Sequence, residues 1–428
     1  MNLIKALTSR TFSSLNIRNY RLYFFSQIVS MSGTWMQLVA QGWLVLKLTD
    51  SGVALGTNAA LQFLPLLLFG AWGGVVADRL DKRRGLVFTQ AAAALLAIVL
   101  GVLTLTGVVQ LWMVYLLSFL LGLVTVIDMP TRQAFVVEMV GPKDLSNAIG
   151  LNGAIFTSAR VVGPALAGLL IKVAGIAPAF IINGASYLAV IAALIAMRPD
   201  DLIRRAPVAK ARGQLREGLK YVWRTHDLKF TLLMMALVGT FAFNFQVLLP
   251  VLAKHDFGGD AGTDGLMGSV LGIGALIGAL FAAARNRPTR RLILGSSLAT
   301  GAFLMAAAAS PNLPLILISL GLVGAASIIF IATANATLQL NCSDAMRGRV
   351  MALYTVVFLG STPIGGPLIG WIAQQFGGRI GLLVGGTASF AAVALGAGMR
   401  LRARRRIIDL SFEETAPIST LQGERVSP

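Results

Sequence analysis

Twelve apolar stretches of about 20 residues each fill nearly all of the chain between residues 20 and 399, and this pattern restricts the fold more than any other property. A bilayer's hydrocarbon core is about 30 Å thick and takes about 20 helical residues to cross, and inside it each backbone N–H and C=O must find its partner within the protein. A 428-residue chain that is 56% hydrophobic leaves little for a water-soluble domain. The expected fold is an all-α polytopic membrane protein with twelve transmembrane helices. The expected spans are 20–46, 54–77, 85–106, 111–129, 148–173 and 177–197, then 230–252, 265–284, 292–309, 313–338, 350–376 and 380–399. Segments such as 91–101 have no polar face at helical spacing, which a soluble amphipathic helix would need.

A net charge of +18 would suit a nucleic-acid ligand if it were gathered on one module, so its distribution decides its meaning. Of the 36 Lys and Arg, all but Lys47, Arg160, Lys172, Lys254 and Arg379 fall in the terminal segments or in every second connection. That is the positive-inside bias, and it predicts that both termini and the basic connections are cytoplasmic. No nucleic-acid partner is expected; the partners are the lipid bilayer and whatever small molecule or ion crosses it. Residues 1–19 lack the apolar core of a secretory signal, so no cleaved leader is expected. The single cysteine, Cys342, supports neither a disulfide nor a thiolate metal cluster, and no cofactor or metal site is expected.

Residues 198–229 are the one long hydrophilic interruption and divide the spans six and six. The expected organisation is a cytoplasmic N-terminus (1–19), a six-helix half (20–197), a cytoplasmic linker (198–229), a second six-helix half (230–399) and a cytoplasmic tail (400–428). Within the linker, Leu215, Leu219 and Val222 share one side of a helix ringed by Arg216, Lys220 and Arg224, a pattern fit for the membrane surface or for plain solvation. The halves echo one another. Basic clusters close the second span (Asp78 to Arg84) and the eighth (Arg285 to Arg291), and Gly163-Pro164 in the fifth returns as Gly366-Pro367 in the eleventh, at nearly the same offset. Such internal repeats mark transporters built around a central site.

The segment Gly74-Val75-Val76-Ala77-Asp78-Arg79-Leu80-Asp81-Lys82-Arg83-Arg84 resembles the loop signature of the major facilitator superfamily, with Asp81 where that pattern has a second glycine. Residues 159–168, around Gly163-Pro164, are similar to the fifth-helix motif of the superfamily's exporters and antiporters. Together with Arg18-Asn19-Tyr20-Arg21, Ser32-Gly33-Thr34-Trp35 and Asp128-Met129-Pro130-Thr131-Arg132, these motifs resemble the branch containing the enterobactin exporter and related drug and macrolide efflux proteins. The resemblance spans the chain and implies the major facilitator fold in a bacterial inner membrane. It also implies secondary active export of a siderophore or drug-like compound by alternating access, driven by proton antiport. The superfamily's fourth-helix arginine motif is absent, since Leu117 to Gly122 carries no basic residue, so that arginine's role has no bearer here.

The motif residues Gly74, Asp78, Arg79, Lys82 and Arg83 are expected to form a latch. Asp78 would meet a neighbouring helix N-terminus, and Lys82 or Arg83 would reach Asp128 at the end of the fourth span. Gly163 and Pro164 would let the fifth span bend and seal. Arg160 is the one charge deep within an expected span, about 18 Å in at 1.5 Å per residue, where an arginine needs a wet cavity or a partner. An anionic substrate or a structural hydrogen-bonding role would each serve. No acid lies near the midplane of the expected spans, so proton coupling falls to Asp128, Glu138, Asp78 or an acid at a helix end. The resemblance implies that the first, fourth, seventh and tenth spans line the cavity, which makes Trp35, Gln37, Gln41, Phe241, Asn244, Gln246 and Asn335 candidate contacts for an amphipathic, ring-bearing ligand.

With two histidines, no assembled Ser/His/Asp set and no phosphate loop, nothing supports catalysis or ATP-driven transport, and no catalytic residue is expected. The alternatives are a non-transporting membrane receptor or scaffold, and an importer of a solute or lipid on the same fold. The orientation is open to direct test. Cysteines placed at 212 and 420 in a Cys342→Ser background should resist an impermeant thiol reagent in intact spheroplasts and react once the cells are broken. Labelling of both in intact spheroplasts would reverse the topology.

Overall fold

The structure is a computed structural model that describes residues 12–203, 214–285 and 288–414, the side chains at 71, 78, 214–216, 344–345 and 399–414 excepted. All regular elements among the described residues are helical. Helix α1 (Arg18–Thr49) ends at Asp50, which takes a left-handed conformation with φ 52°. Helix α2 (Gly52–Arg79) begins at Ser51, whose hydroxyl accepts from the Ala54 N–H, and α3 (Lys82–Leu105) begins at Asp81, whose carboxylate accepts from the Arg84 N–H. Asp81 in the loop motif is therefore a helix cap, a task a glycine side chain cannot perform.

Helix α4 (Leu111–Ala174) is two helical limbs joined across a kink, and its 64 residues are about three times what one crossing takes. It turns back at Gly141, whose φ of 67° and ψ of −177° favour glycine. The first limb starts beside Ala54 of α2, to whose carbonyl the Tyr115 hydroxyl donates, and ends beside Thr89 of α3, which donates to Asp128. The second limb starts where the Tyr20 hydroxyl donates to the Ala148 carbonyl, near the beginning of α1. The limbs run oppositely and make two spans. The fourth span thus extends past its expected end at Met129, and Arg132 and Glu138 are helical rather than loop residues.

After α5 (Ala177–Ala196) comes α6 (Gln214–Arg224) of the linker. The expected seventh span is built in two pieces, α7 (His226–Ala242) and α8 (Phe245–Val251), followed by a π turn over Leu252–Asp256. At the break the Asn244 amide donates to the Thr240 carbonyl, a side-chain bond that competes with the helical one. Then follow α9 (Ala261–Ala284), α10 (Arg290–Ala309) and α11 (Leu313–Leu340). The expected eleventh span is also divided, into α12 (Asp344–Gly360) and α13 (Thr362–Phe376), where the Ser361 hydroxyl donates to Phe358 and a proline opens the next helix. Helix α14 (Gly378–Glu414) closes the bundle.

Among the described residues, ten helical segments are long and apolar enough to cross a bilayer. Helix α4 crosses twice, and α1, whose buried Gln27, Gln37 and Gln41 lower its hydropathy, completes the twelve. The first six spans form one half and the last six the other. Arg83, Arg198 and Arg290 lie at one end of the bundle, the basic face, with the far face opposite. Helix α6 packs on the second half at the basic face, where Glu217 pairs with Arg349 at 2.5 Å and Val222 is buried. Leu219 and Trp223 remain exposed, and the Lys229 ammonium lies 5.0 Å from the Trp223 ring centroid, which suits a membrane interface. Leu215 and Arg216 lie outside the described side chains.

Glycines set the spacing of the bundle. A Cβ on Gly73 would overlap the Val126 carbonyl, so α2 and the first limb of α4 touch backbone to backbone. Gly274 of α9 meets Gly321 of α11 in the same way, whereas Gly295 has no neighbour within 4 Å. Gly274→Leu should therefore destabilise the second half by about 1–3 kcal/mol, read as a lowered thermal midpoint of the purified protein, while Gly295→Leu leaves it in place.

Candidate functional site

The two halves meet closely at the far face. A Cβ on Gly52 would lie 2.6 Å from the Gly370 carbonyl, and one on Gly56 would overlap Gly366, so α2 and α13 touch through their backbones. Gly265 and Gly268 of α9 abut Pro164 on the second limb of α4, and Gly272 lies under the Arg160 carbonyl. Polar links reinforce this seam. Gln374 accepts from the Ser51 hydroxyl at 2.6 Å and the Val53 N–H at 3.1 Å, and the Ser269 hydroxyl donates to the Val161 carbonyl at 2.9 Å. Lys254 bonds Asp50 at 2.6 Å, and this bond with the ammonium's charge holds the Asp50 carboxyl below the usual carboxylate range.

Within the seam is a cavity of about 110 Å³. Trp35, Arg160, Pro164, Phe243, Phe245 and Gln246 line it, so the first, fifth and seventh spans converge there. The Arg160 guanidinium stands 5.6 Å from the Trp35 ring centroid, a cation–π contact, and Trp35 in turn meets Phe156 edge-on at 5.7 Å. Gly163 makes room for this, since a Cβ there would overlap that of Trp35. The break between α7 and α8 is what turns Phe243 and Gln246 toward the cavity. An arginine, an amide and three aromatic rings can hold a compound with an acceptor-rich group and a flat apolar part.

Asp264 lines the same cavity and has no place among the expected site residues. The expected eighth span opens at Gly265, but the helix begins at Ala261, one turn earlier, with Asp260 as its cap accepting from Thr263. Arg160 is therefore not the one ionisable group in the interior. The signal that marks Asp264 is Asp-Ala-Gly-Thr-Asp: the first acid caps, so the second falls inside the first turn.

On the basic side an open depression of about 470 Å³ lies along α11, lined by residues of that helix alone, among them Ile328, Ile331, Asn335 and Gln339. Asn335 accepts from the Gln339 amide there. Gly150 and Gly153, in the basic half of the second limb of α4, have nothing within 4 Å of a Cβ.

Two of the other candidate amides are spent between helices. Gln37 accepts from Asn183 of α5 at 2.7 Å. Gln41 donates to Asn58 of α2 and Ser118 of α4, so it ties three helices together instead of facing the cavity. Asn244 is buried, its Oδ1 unpartnered, and Phe241 packs in the core of the second half; neither lines the cavity.

The latch takes a different form from the one expected. Lys82 pairs with Glu138 at 3.3 Å, and Arg83 donates to the Leu194 and Ile195 carbonyls, so neither reaches Asp128. Asp128 is instead taken by Arg132, one helical turn on, at 2.7 Å, and by Thr89 at 2.7 Å and Gln90 at 2.8 Å. Arg132 also donates to Gln27 of α1. These contacts lie within the first half. Gly74 is half-buried and Arg79 exposed in the last turns of α2; the Asp78 side chain lies outside the described residues.

A family model described as a transmembrane secretion effector matches residues 9–419. Over 366 residues the chain is 25% identical to the staphyloferrin A transporter of Staphylococcus aureus, covering 83% of this chain and 90% of that protein. It is 28% identical over 372 residues to the multidrug efflux pump Tap of Mycolicibacterium fortuitum, covering 83% and 89%. Among solved structures, a bacterial homologue of the human lysosomal transporter Spinster, inward-facing and unoccupied, superposes with a TM-score of 0.69 at 15% identity, over 94% of this chain and 98% of that one. The nucleoside transporter NupG does so with a TM-score of 0.68 at 13% identity, over 90% and 98%. These likenesses show the fold, that of the major facilitator transporters.

The Asp128–Arg132 pair is a structural element of the first half and predicts a thermodynamic signature. Asp128→Asn strands a half-buried guanidinium and should cost on the order of 2–4 kcal/mol, whereas Asp128→Asn with Arg132→Gln should cost less than the two single changes together. Thermal unfolding of the three purified variants measures the coupling; strict additivity would dissolve the pair.

Proposed function

The chain belongs to the transmembrane secretion effector family, and on that premise we propose that it exports a small amphipathic compound, siderophore-like or drug-like, by alternating access against inward proton flow. As a member it is a multi-pass membrane transporter rather than an enzyme, receptor or scaffold. The observation that carries the proposal is the seam. The halves are joined backbone to backbone at the far face, around a cavity with Arg160 at its side, while the basic-side surface of α11 stands open. With the basic face cytoplasmic, as the charge bias indicates, this is the state that loads from inside the cell. The bodies that rock are residues 20–197 and 230–399, tethered by 198–229, with both termini cytoplasmic in a bacterial inner membrane. The relatives' names, a siderophore transporter and a multidrug efflux pump, support the outward direction and the size class.

Arg160 gives the reading its chemistry. Its guanidinium leans on Trp35 and makes no ion pair with a described residue, so it is available to an anionic or hydroxyl-rich substrate. Comparing intracellular and extracellular metabolites of a deletion strain with those of the complemented strain should show a compound retained in the cells without the transporter. In that assay Arg160→Lys should restore part of the export and Arg160→Gln little. Equal export by the two variants at matched membrane abundance would remove charge at 160 from the mechanism, and no retained compound would remove export.

A further inference from the structure

Asp264 enters the cavity from the first turn of α9, is only 3% exposed, and its Oδ2 has no hydrogen-bond partner. Asp128 is engaged by Arg132, Thr89 and Gln90, and Glu138 by Lys82; Asp256 also keeps one oxygen unpartnered, but its other oxygen holds Arg379 and it does not line the cavity. The turns of α9 that follow Asp264 are the ones that meet the first half, Gly265 and Gly268 against Pro164 and Ser269 on the Val161 carbonyl. The carboxyl therefore lies in a contact that has to part whenever the far face opens. Closing that contact over an ionised carboxylate with an unmatched oxygen is unfavourable, and a proton or a donor group of a bound compound removes the penalty.

We infer that Asp264 is the proton-carrying residue of the transport cycle: the far-face seam closes over it only when its carboxyl is neutralised. The inference rests on the alternating-access reading above and narrows its coupling ion to one group. With the seam parted, a carboxylate oxygen takes a proton from water at the far face, and closure carries that proton inward. The proton leaves to water at the basic face when a hydrogen-bond donor or cationic group of the exported compound replaces it, so compound and proton exchange for one another. Among the described residues no other charged side chain on the elements packed against α9 reaches this carboxyl; Lys47 at the end of α1 and Lys172 at the end of α4 are exposed. Arg160 lines the same cavity from α4 but makes no ion pair with Asp264. Asp260 caps its own helix, Lys254 and His255 turn to Asp50, Asp256 pairs with Arg379, and α8 and α11 carry no charged residue.

The test needs no substrate. Spin labels on Val108→Cys and Pro311→Cys, one on each half at the far face, report the seam in the full-length protein in a Cys342→Ser background. Their distance distribution should be short at acid pH and gain a long component as pH rises. Asp264→Asn, neutral throughout, should lose that shift and stay short; Asp264→Glu should keep it, and so should Asp50→Asn, which removes the exposed far-face ion pair. A wild-type distribution indifferent to pH would overturn the assignment, whatever the fate of the variants, as would a shift that survives in Asp264→Asn or vanishes in Asp50→Asn. A pH-driven shift in a protein that exports nothing would defeat the export reading and leave Asp264 standing. Export without the shift would do the reverse.

Discussion

The bundle depends on backbone touching backbone where its two halves meet. Gly52 and Gly56 of α2 lie on Gly370 and Gly366 of α13, and Gly265 of α9 lies on Pro164. In lipid there is little hydrophobic gain from bringing apolar helices together, so close packing and the few polar bonds that it permits supply the attraction. Contacts this close are also all or none: a slight separation forfeits the dispersion energy and breaks the bonds from Ser51 and Ser269 together. The far-face seam is thus suited to two states rather than a continuum, which alternating access requires.

The second constraint is the treatment of polar side chains away from water. Within the first half they are matched nearly one to one: Gln41 with Asn58 and Ser118, Gln37 with Asn183, Asp128 with Arg132 and Gln90. These bonds make six spans behave as one body. In the cavity two charged groups are left without an ionic partner among the described residues. Arg160 has an aromatic face in place of an acid, and Asp264 has an oxygen with no donor. Unmatched groups are tolerated in a transporter where a ligand or proton completes them.

Residues 74–84 show how one motif divides its labour. Asp81 caps α3, Lys82 fastens α3 to Glu138 of the fourth span, and Arg83 caps the end of α5 by bonding its last carbonyls. The basic run is thereby a brace for the first half at its charged face. The far face is closed by other means, in part by the ion pair of Asp50 with Lys254, which is exposed to water and contributes little.

The sequence by itself determined that the chain is an all-helical bundle spanning a bilayer, because about 20 apolar residues per crossing is a local, additive property. It also pointed to Trp35, Arg160, Pro164 and Gln246, since an arginine in an apolar span and a Gly-Pro pair stand out without any partner being known. Partners are what it could not supply. Nothing local distinguishes Gln41, which bonds two neighbouring helices, from Gln246, which faces the cavity; the difference lies in which helix stands opposite. Lys82 had Asp128 and Glu138 within plausible reach, and the choice was made by Arg132 claiming Asp128 from one turn away on the same helix. Asp264 was hidden by a boundary of four residues, because whether an acid caps a helix or lies inside it depends on where the chain is packed when the helix starts. Only the tertiary structure decided that this carboxyl and Arg160 share one cavity, since they come from different halves of the chain and are brought together by the packing of α9 on the second limb of α4.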